Sequence, residues 1–126
     1  MGLDMYLFGE EHADYSKRFE DGHAGKITLA HTTYQLGYWR KHPNLHGYIV
    51  NTFADGVDEC QRIPLGPEDL RAIIEATNNH SLPDTKGFFF GASRTEDDTD
   101  TIRIIERAIG WLHDGQRRSI YYEASW

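Results

Sequence analysis

The chain has 126 residues, enough for one domain with its own core. Hydrophobic residues make up 39%, and six Phe, seven Tyr and three Trp supply the bulk of a real core, so the composition excludes a disordered chain. Twenty acidic against thirteen basic residues give a formal charge of −7, which opposes direct binding to a nucleic-acid backbone, and the one cysteine excludes an internal disulfide.

At the N-terminus, "GLDMYLFG" reads as a strand with Leu3, Met5 and Leu7 on one face and Asp4, Tyr6 and Phe8 on the other. Residues 9–25 are polar, rich in charge and closed by glycines, which predicts a mobile loop. "KITLAHTTYQLGYW" has the β-branched and aromatic content of one or two strands. Pro43 suits the first turn of a helix over about 43–54, with Leu45, Tyr48, Ile49, Thr52 and Phe53 as its apolar face.

"ECQRIPL" reads as a short extended segment, and Pro64 places it at a sheet edge. "GPEDLRAIIEATNNH" opens with Pro67 and acids and predicts a second helix with Leu70, Ile73, Ile74 and Thr77 inward. "SLPDTKGFFFGAS" suggests a further strand. "TEDDTDTIRIIERAIGWLHDG" predicts a third helix, with one stripe of Ile102, Ile105, Ile109 and Leu112 and a second of Ile104, Ala108 and Trp111. "RRSIYYEASW" closes the chain as a strand. The pattern implies a single α+β domain spanning residues 1–126, an antiparallel or mixed sheet with about three helices packed mainly on one face.

Chemistry-bearing residues concentrate in "GYWRKHPNLH". Trp39, Arg40, Lys41 and His46 flank the start of the first helix, whose free N–H groups and dipole favour a phosphate, a carboxylate or a partner's side chain. His42 and His46 have i, i+4 spacing, yet no Glu stands between them and no third ligand is near in sequence. The expectation is therefore surface or capping histidines and no metal. Cys60, beside Asp58 and Glu59, is expected to be a buried structural residue.

A second candidate is an acidic surface joining Glu10, Glu11 and Asp14 to Glu96, Asp97 and Asp98, although the last three also suit a helix N-terminus. There is no phosphate-binding glycine loop, no nucleophile elbow and no zinc-finger spacing, so no catalytic residue is assigned and no cofactor is expected. With no apolar run near membrane-spanning length and no signal-peptide pattern, a cytoplasmic protein without membrane contact is expected.

"MGLDMYL", "GYWRK" with "LH" following, "DGVDECQ", "LP" before "GFFFG" and the terminal "YYEASW" together resemble a family of small bacteriophage and prophage proteins, in order over nearly the whole chain. The sequence departs from that pattern at "HPN" after "YWRK" and in its short acidic 9–25 insert. The phosphoglycerate kinase label that some members carry finds no nucleotide-binding pattern here. The resemblance implies a viral setting inside a bacterial host cell, and a non-catalytic protein that binds a host or phage protein, including inhibition of a defence system such as CRISPR. The alternatives are a small anion- or ligand-binding enzyme with a concave site at 39–46, and a virion assembly component.

Overall fold

A computed structural model describes residues 2–14, 27–87 and 90–126. The elements run β1 (Asp4–His12), β2 (His31–Arg40), α1 (Pro43–Phe53), β3 (Ile63–Leu65), α2 (Pro67–Asn78), α3 (Thr95–His113) and β4 (Arg118–Ser125). All pairings are antiparallel in the order β2-β1-β4-β3, so the first and last strands are central neighbours and β3, which carries Pro64, is an edge. This is the expected single α+β domain.

Side-chain alternation divides the sheet. Met5 and Leu7 of β1, Trp39 of β2, Ile63 and Leu65 of β3 and Ile120, Tyr122 and Ala124 of β4 enter one core with Leu45 and Ile49 of α1, Leu70 and Ile73 of α2, and Ile104, Ile105 and Ala108 of α3. All three helices therefore cover the same face. Asp4, Tyr6, Phe8 and Glu10 of β1 point to the other.

The β1–β2 register shifts between Leu7 and Phe8, leaving Leu36 of β2 as a bulge, and glycines at Gly37 of β2 and Gly9 of β1 let α3 lie close to the sheet. A Cβ at Gly37 would collide with Ile104, and one at Gly9 would sit 2.6 Å from the Trp111 ring.

The helix starts follow local charge logic. Gly66 N–H donates to Asp69 Oδ2 at 2.8 Å at the start of α2, and Arg94 N–H donates to Asp97 Oδ2 at 2.7 Å at the start of α3. The start of α1 has no cap from its own segment; Asn44 N–H donates instead to Ser93 Oγ at 3.1 Å. The seam of α1 is rotated from the sequence expectation: His46 and Val50 are buried, while Thr52 is exposed. The two stripes of α3 meet, and its most buried line runs through Asp97, Thr101, Ile104, Ile105 and Ala108 between them.

Two expectations about segments change. Residues 9–12 of the expected loop continue β1, where Glu10 and Glu11 pair with Ser119 and Arg118; residues 15–26 lie outside the described residues. No strand forms at residues 81–87 or 90–93, and Phe88 and Phe89 lie outside the described residues.

Candidate functional site

Trp39 and Arg40 are successive strand residues and so face opposite sides of the sheet. Trp39 is buried against α3, where its Nε1–H donates to Thr101 Oγ1 at 2.9 Å. Thr101 Oγ1 passes its own proton to the Asp97 carbonyl at 2.7 Å. Arg40 lies on the open face with Asp4, at 3.4 Å. Lys41 turns the chain at φ 57°, its N–H held by the Leu3 carbonyl at 2.8 Å. Trp39 and His46 are interior residues, so Trp39, Arg40, Lys41 and His46 do not share one contact surface.

His46 is the centre of a buried relay. Its Nε2 lies 3.0 Å from both Asp58 carboxylate oxygens, and its Nδ1 lies 2.6 Å from the Tyr122 hydroxyl. The carboxylate accepts the Nε2–H, which leaves the Nδ1 lone pair to accept the phenolic proton. Burial raises the Tyr122 phenol well above its usual range, and the nearby Asp58 carboxylate adds to this, so it stays a donor. The relay ties α1 to β4 and to the segment after α1. Cys60, expected inside, is exposed and adopts φ 58°.

His42, expected as a surface or capping histidine, holds the N-cap position of α1 without a side-chain cap bond and is 1% exposed. Its Nδ1 lies 2.8 Å from Ser93 Oγ, the same oxygen that caps α1. Its Nε2 is buried without a hydrogen-bond partner among the described residues, 3.7 Å from Asp98 Oδ1. Burial lowers the His42 pKa from 6.5, and the Asp97 and Asp98 carboxylates only partly oppose this, so the ring is neutral at pH 7.

This ring lines a cleft of about 450 Å³ between the starts of α1 and α3 and the end of α2, shared with Asn44, Thr77, His80, Ser93, Arg94 and Asp98. A concave site thus exists at His42 and Asn44, but its cation is Arg94 rather than Arg40 or Lys41. His80, at the rim, lies 4.0 Å from Asp98. Among the described residues, no group of three His, Cys, Asp or Glu side chains is placed to hold a metal ion.

The two acidic groups do not meet. Arg118 joins Glu11, at 2.6 Å, to the Trp111 carbonyl in the last turn of α3, whereas Glu96, Asp97 and Asp98 occupy its first turn. Asp98 and Trp111 are thirteen residues apart, about 20 Å of helix. Asp97 is buried as a cap, and Glu10 is engaged by Arg62 at 3.6 Å. Asp14 follows β1, at the Glu11 end.

The open sheet face carries a ladder the sequence analysis did not single out. Tyr38, Tyr6, Phe8 and Tyr121 run across three strands with ring centroids 5.3, 5.5 and 5.4 Å apart in turn. Arg62 stacks on Tyr121 at 4.6 Å, and the Tyr38 hydroxyl donates to Asp4 at 2.6 Å. That bond raises the Tyr38 pKa. The signal was the strand alternation itself, which puts Tyr6 and Phe8 opposite the core residues; the cross-strand register was needed to add Tyr38 and Tyr121.

Compared with known proteins, the chain matches no family model, no curated protein and no solved structure. No helix among the described residues is long and apolar enough to cross a membrane.

Proposed function

We propose that this is a non-catalytic interaction protein of bacteriophage or prophage type that binds a host or phage protein through the open face of its sheet. The observation that carries this reading is the Tyr38–Tyr6–Phe8–Tyr121 ladder, which no described helix covers. Rings backed by a rigid sheet and rimmed by arginine have the composition of protein-binding hot spots.

A four-stranded sheet whose open face carries aromatic rings, here exposed at Tyr38, half-buried at Tyr6 and Phe8 and buried at Tyr121, is also a platform on which nucleic-acid bases stack. Here Arg40 is held by Asp4, and Arg62 by Glu10 and Glu123 at 3.6 Å each, so among the described residues these two arginines give phosphates no unneutralised track. A protein partner fits this mixed-charge rim better. The viral setting implied by the family resemblance favours a host defence complex as that partner.

The test is a tagged pull-down from infected and uninfected bacterial lysate with wild type and a Tyr6→Ala/Tyr38→Ala variant of the same fold. Support is a discrete complex retained by wild type and reduced at least about tenfold in the variant. Equal retention by both proteins, or tight binding of single-stranded RNA at physiological salt, rejects the reading.

The cleft at His42 favours a second reading, small-ligand binding. What supports it is that His42 and Asn44, within 39–46, line a concave cleft, with Arg94 in place of Arg40 and Lys41 as its cation.

A further inference from the structure

We propose that the cleft between α1, α2 and α3 binds a small polyhydroxylated ligand of sugar-like chemistry, one hydroxyl of which accepts from His42 Nε2–H and donates to Asp98. This rests on the ligand-binding reading of the cleft and not on the sheet face, since its residues belong to the helix layer.

The hydrogen-bond network orients the ring. Ser93 Oγ accepts the Asn44 N–H and lies 2.8 Å from His42 Nδ1, with its hydroxyl proton still free to be given to Nδ1. The Asp98 carboxylate near Nε2 favours the same tautomer, with the proton on Nε2. At 3.7 Å the two atoms are too far apart to bond directly, and Nε2 is left buried without a partner among the described residues. Such orphaned donors are rare in native proteins.

The pair selects its ligand by elimination. An acceptor-only anion satisfies Nε2–H but is repelled by Asp98, and a donor-only ammonium satisfies Asp98 but confronts the Nε2 proton. A hydroxyl does both. A water molecule has the same two-way chemistry, but it fills only about 30 Å³. The cleft, open to solvent on one side, spans about 450 Å³, inside the range of small-molecule sites, so it has room for several waters, which one larger ligand can replace.

The remaining walls suit further hydroxyls. Asn44 Oδ1 is taken by the Thr85 N–H, leaving the carboxamide NH₂ for a ligand, and Thr77 and Thr95 line the same space with Leu82. Asp98, the carboxylate nearest Nε2 in this cleft, is 31% exposed, and His80 beside it is 83% exposed, so both side chains are at the surface and able to yield to an incoming molecule.

The probes are ribose and glucose, with inorganic phosphate and ethylammonium as controls, titrated into ¹⁵N-labelled full chain while histidine ring resonances are followed. His42 is assigned by its loss in His42→Gln. Support is a saturable shift of the His42 ring by either sugar with Kd below about 10 mM, weakened at least about tenfold in Asp98→Ala, with no saturable response to either control. Asp98 is a partly exposed side chain, and an unchanged unfolding midpoint in that variant shows that the fold survives. The proposal is overturned by no saturable shift with either sugar at about 100 mM, by a response to phosphate or ethylammonium alone, or by sugar binding that Asp98→Ala leaves intact. None of these outcomes alters a pull-down through Tyr6 and Tyr38, so the two sites fail separately.

Discussion

Replacing Tyr122 by Phe removes one oxygen from the relay centred on buried His46. The ring keeps its shape, so the core packing around Leu7, Ile63 and His46 is retained and the loss is confined to the 2.6 Å bond with His46 Nδ1. Neither histidine tautomer repairs it. With Nε2–H still given to Asp58, Nδ1 is a buried lone pair without a donor; with the proton moved to Nδ1, the donor is orphaned and the Asp58 contact is lost. Leaving one such group unpaired costs about 1–3 kcal/mol. For a domain of this size that corresponds to a fall in Tm of roughly 3–12 °C. The assay is urea unfolding of wild type, Tyr122→Phe and Tyr121→Phe, with m compared to confirm that the unfolded states match. Tyr121, next in the chain, faces the open side with no hydroxyl hydrogen bond among the described contacts, so its Phe variant should stay within about 0.5 kcal/mol of wild type. Equal costs for the two variants would refute the relay.

Two helical glycines should respond to alanine with opposite signs. Gly110→Ala on α3 meets nothing within 4 Å and should stabilise by about 0.5–1 kcal/mol through helix propensity. Gly47→Ala on α1 drives a methyl group into the Thr85 side chain and should destabilise by about 1–3 kcal/mol, both read by chemical unfolding. Trp39→Phe retains most of the buried ring but orphans Thr101 Oγ1 as an acceptor, and should cost about 1–3 kcal/mol by the same measurement. For His42 the pH dependence has a fixed sign. Its folded pKa lies below the unfolded 6.5, so as pH falls from 6.5 the unfolded chain takes up a proton that the folded ring refuses, and stability drops until the lowered folded value is passed. Unfolding free energies at pH 7.5 and 5.5 should therefore converge in His42→Gln relative to wild type; an unchanged difference would show that the ring titrates normally.

Local patterns carried the fold because they are local. Pro43, Pro67 and the acids after Arg94 mark three helix starts by dihedral and dipole effects that act within one turn, and all three helices begin there. Strand alternation placed Leu3, Met5 and Leu7 inward correctly. The triple-Phe segment misled because aromatic content resembles strand propensity, whereas Phe90 serves as a buried plug whose ring meets His46 at 5.2 Å and Trp126 at 6.0 Å. The candidate site was half legible. A histidine-rich helix start is visible in sequence, but His42 meets Ser93 fifty-one positions away and His46 meets Tyr122 seventy-six positions away. Those partners make two polar residues stable inside the core, and no spacing rule encodes them.

The same distinction governs the acidic balance. A charge of −7 read as a total suggests a surface that seeks a basic partner, but the carboxylates have separate local roles. Asp69 and Asp97 cap helices, Asp58 fixes the His46 tautomer, Glu11 holds Arg118 against the end of α3, and Asp4, Glu10 and Glu123 neutralise the arginines of the open face. Acids committed to such contacts gain little from a distant cationic partner, because their fields are already cancelled within a few ångströms and screening removes the remainder beyond about 8–10 Å. Association through the aromatic ladder should consequently depend weakly on salt, whereas binding through a phosphate-mimicking acidic surface should fall steeply with it. Measuring the captured complex between low and physiological ionic strength therefore distinguishes the two modes of contact. A steep loss would return the function to the acidic residues, and a flat response would keep it on Tyr38, Tyr6, Phe8 and Tyr121.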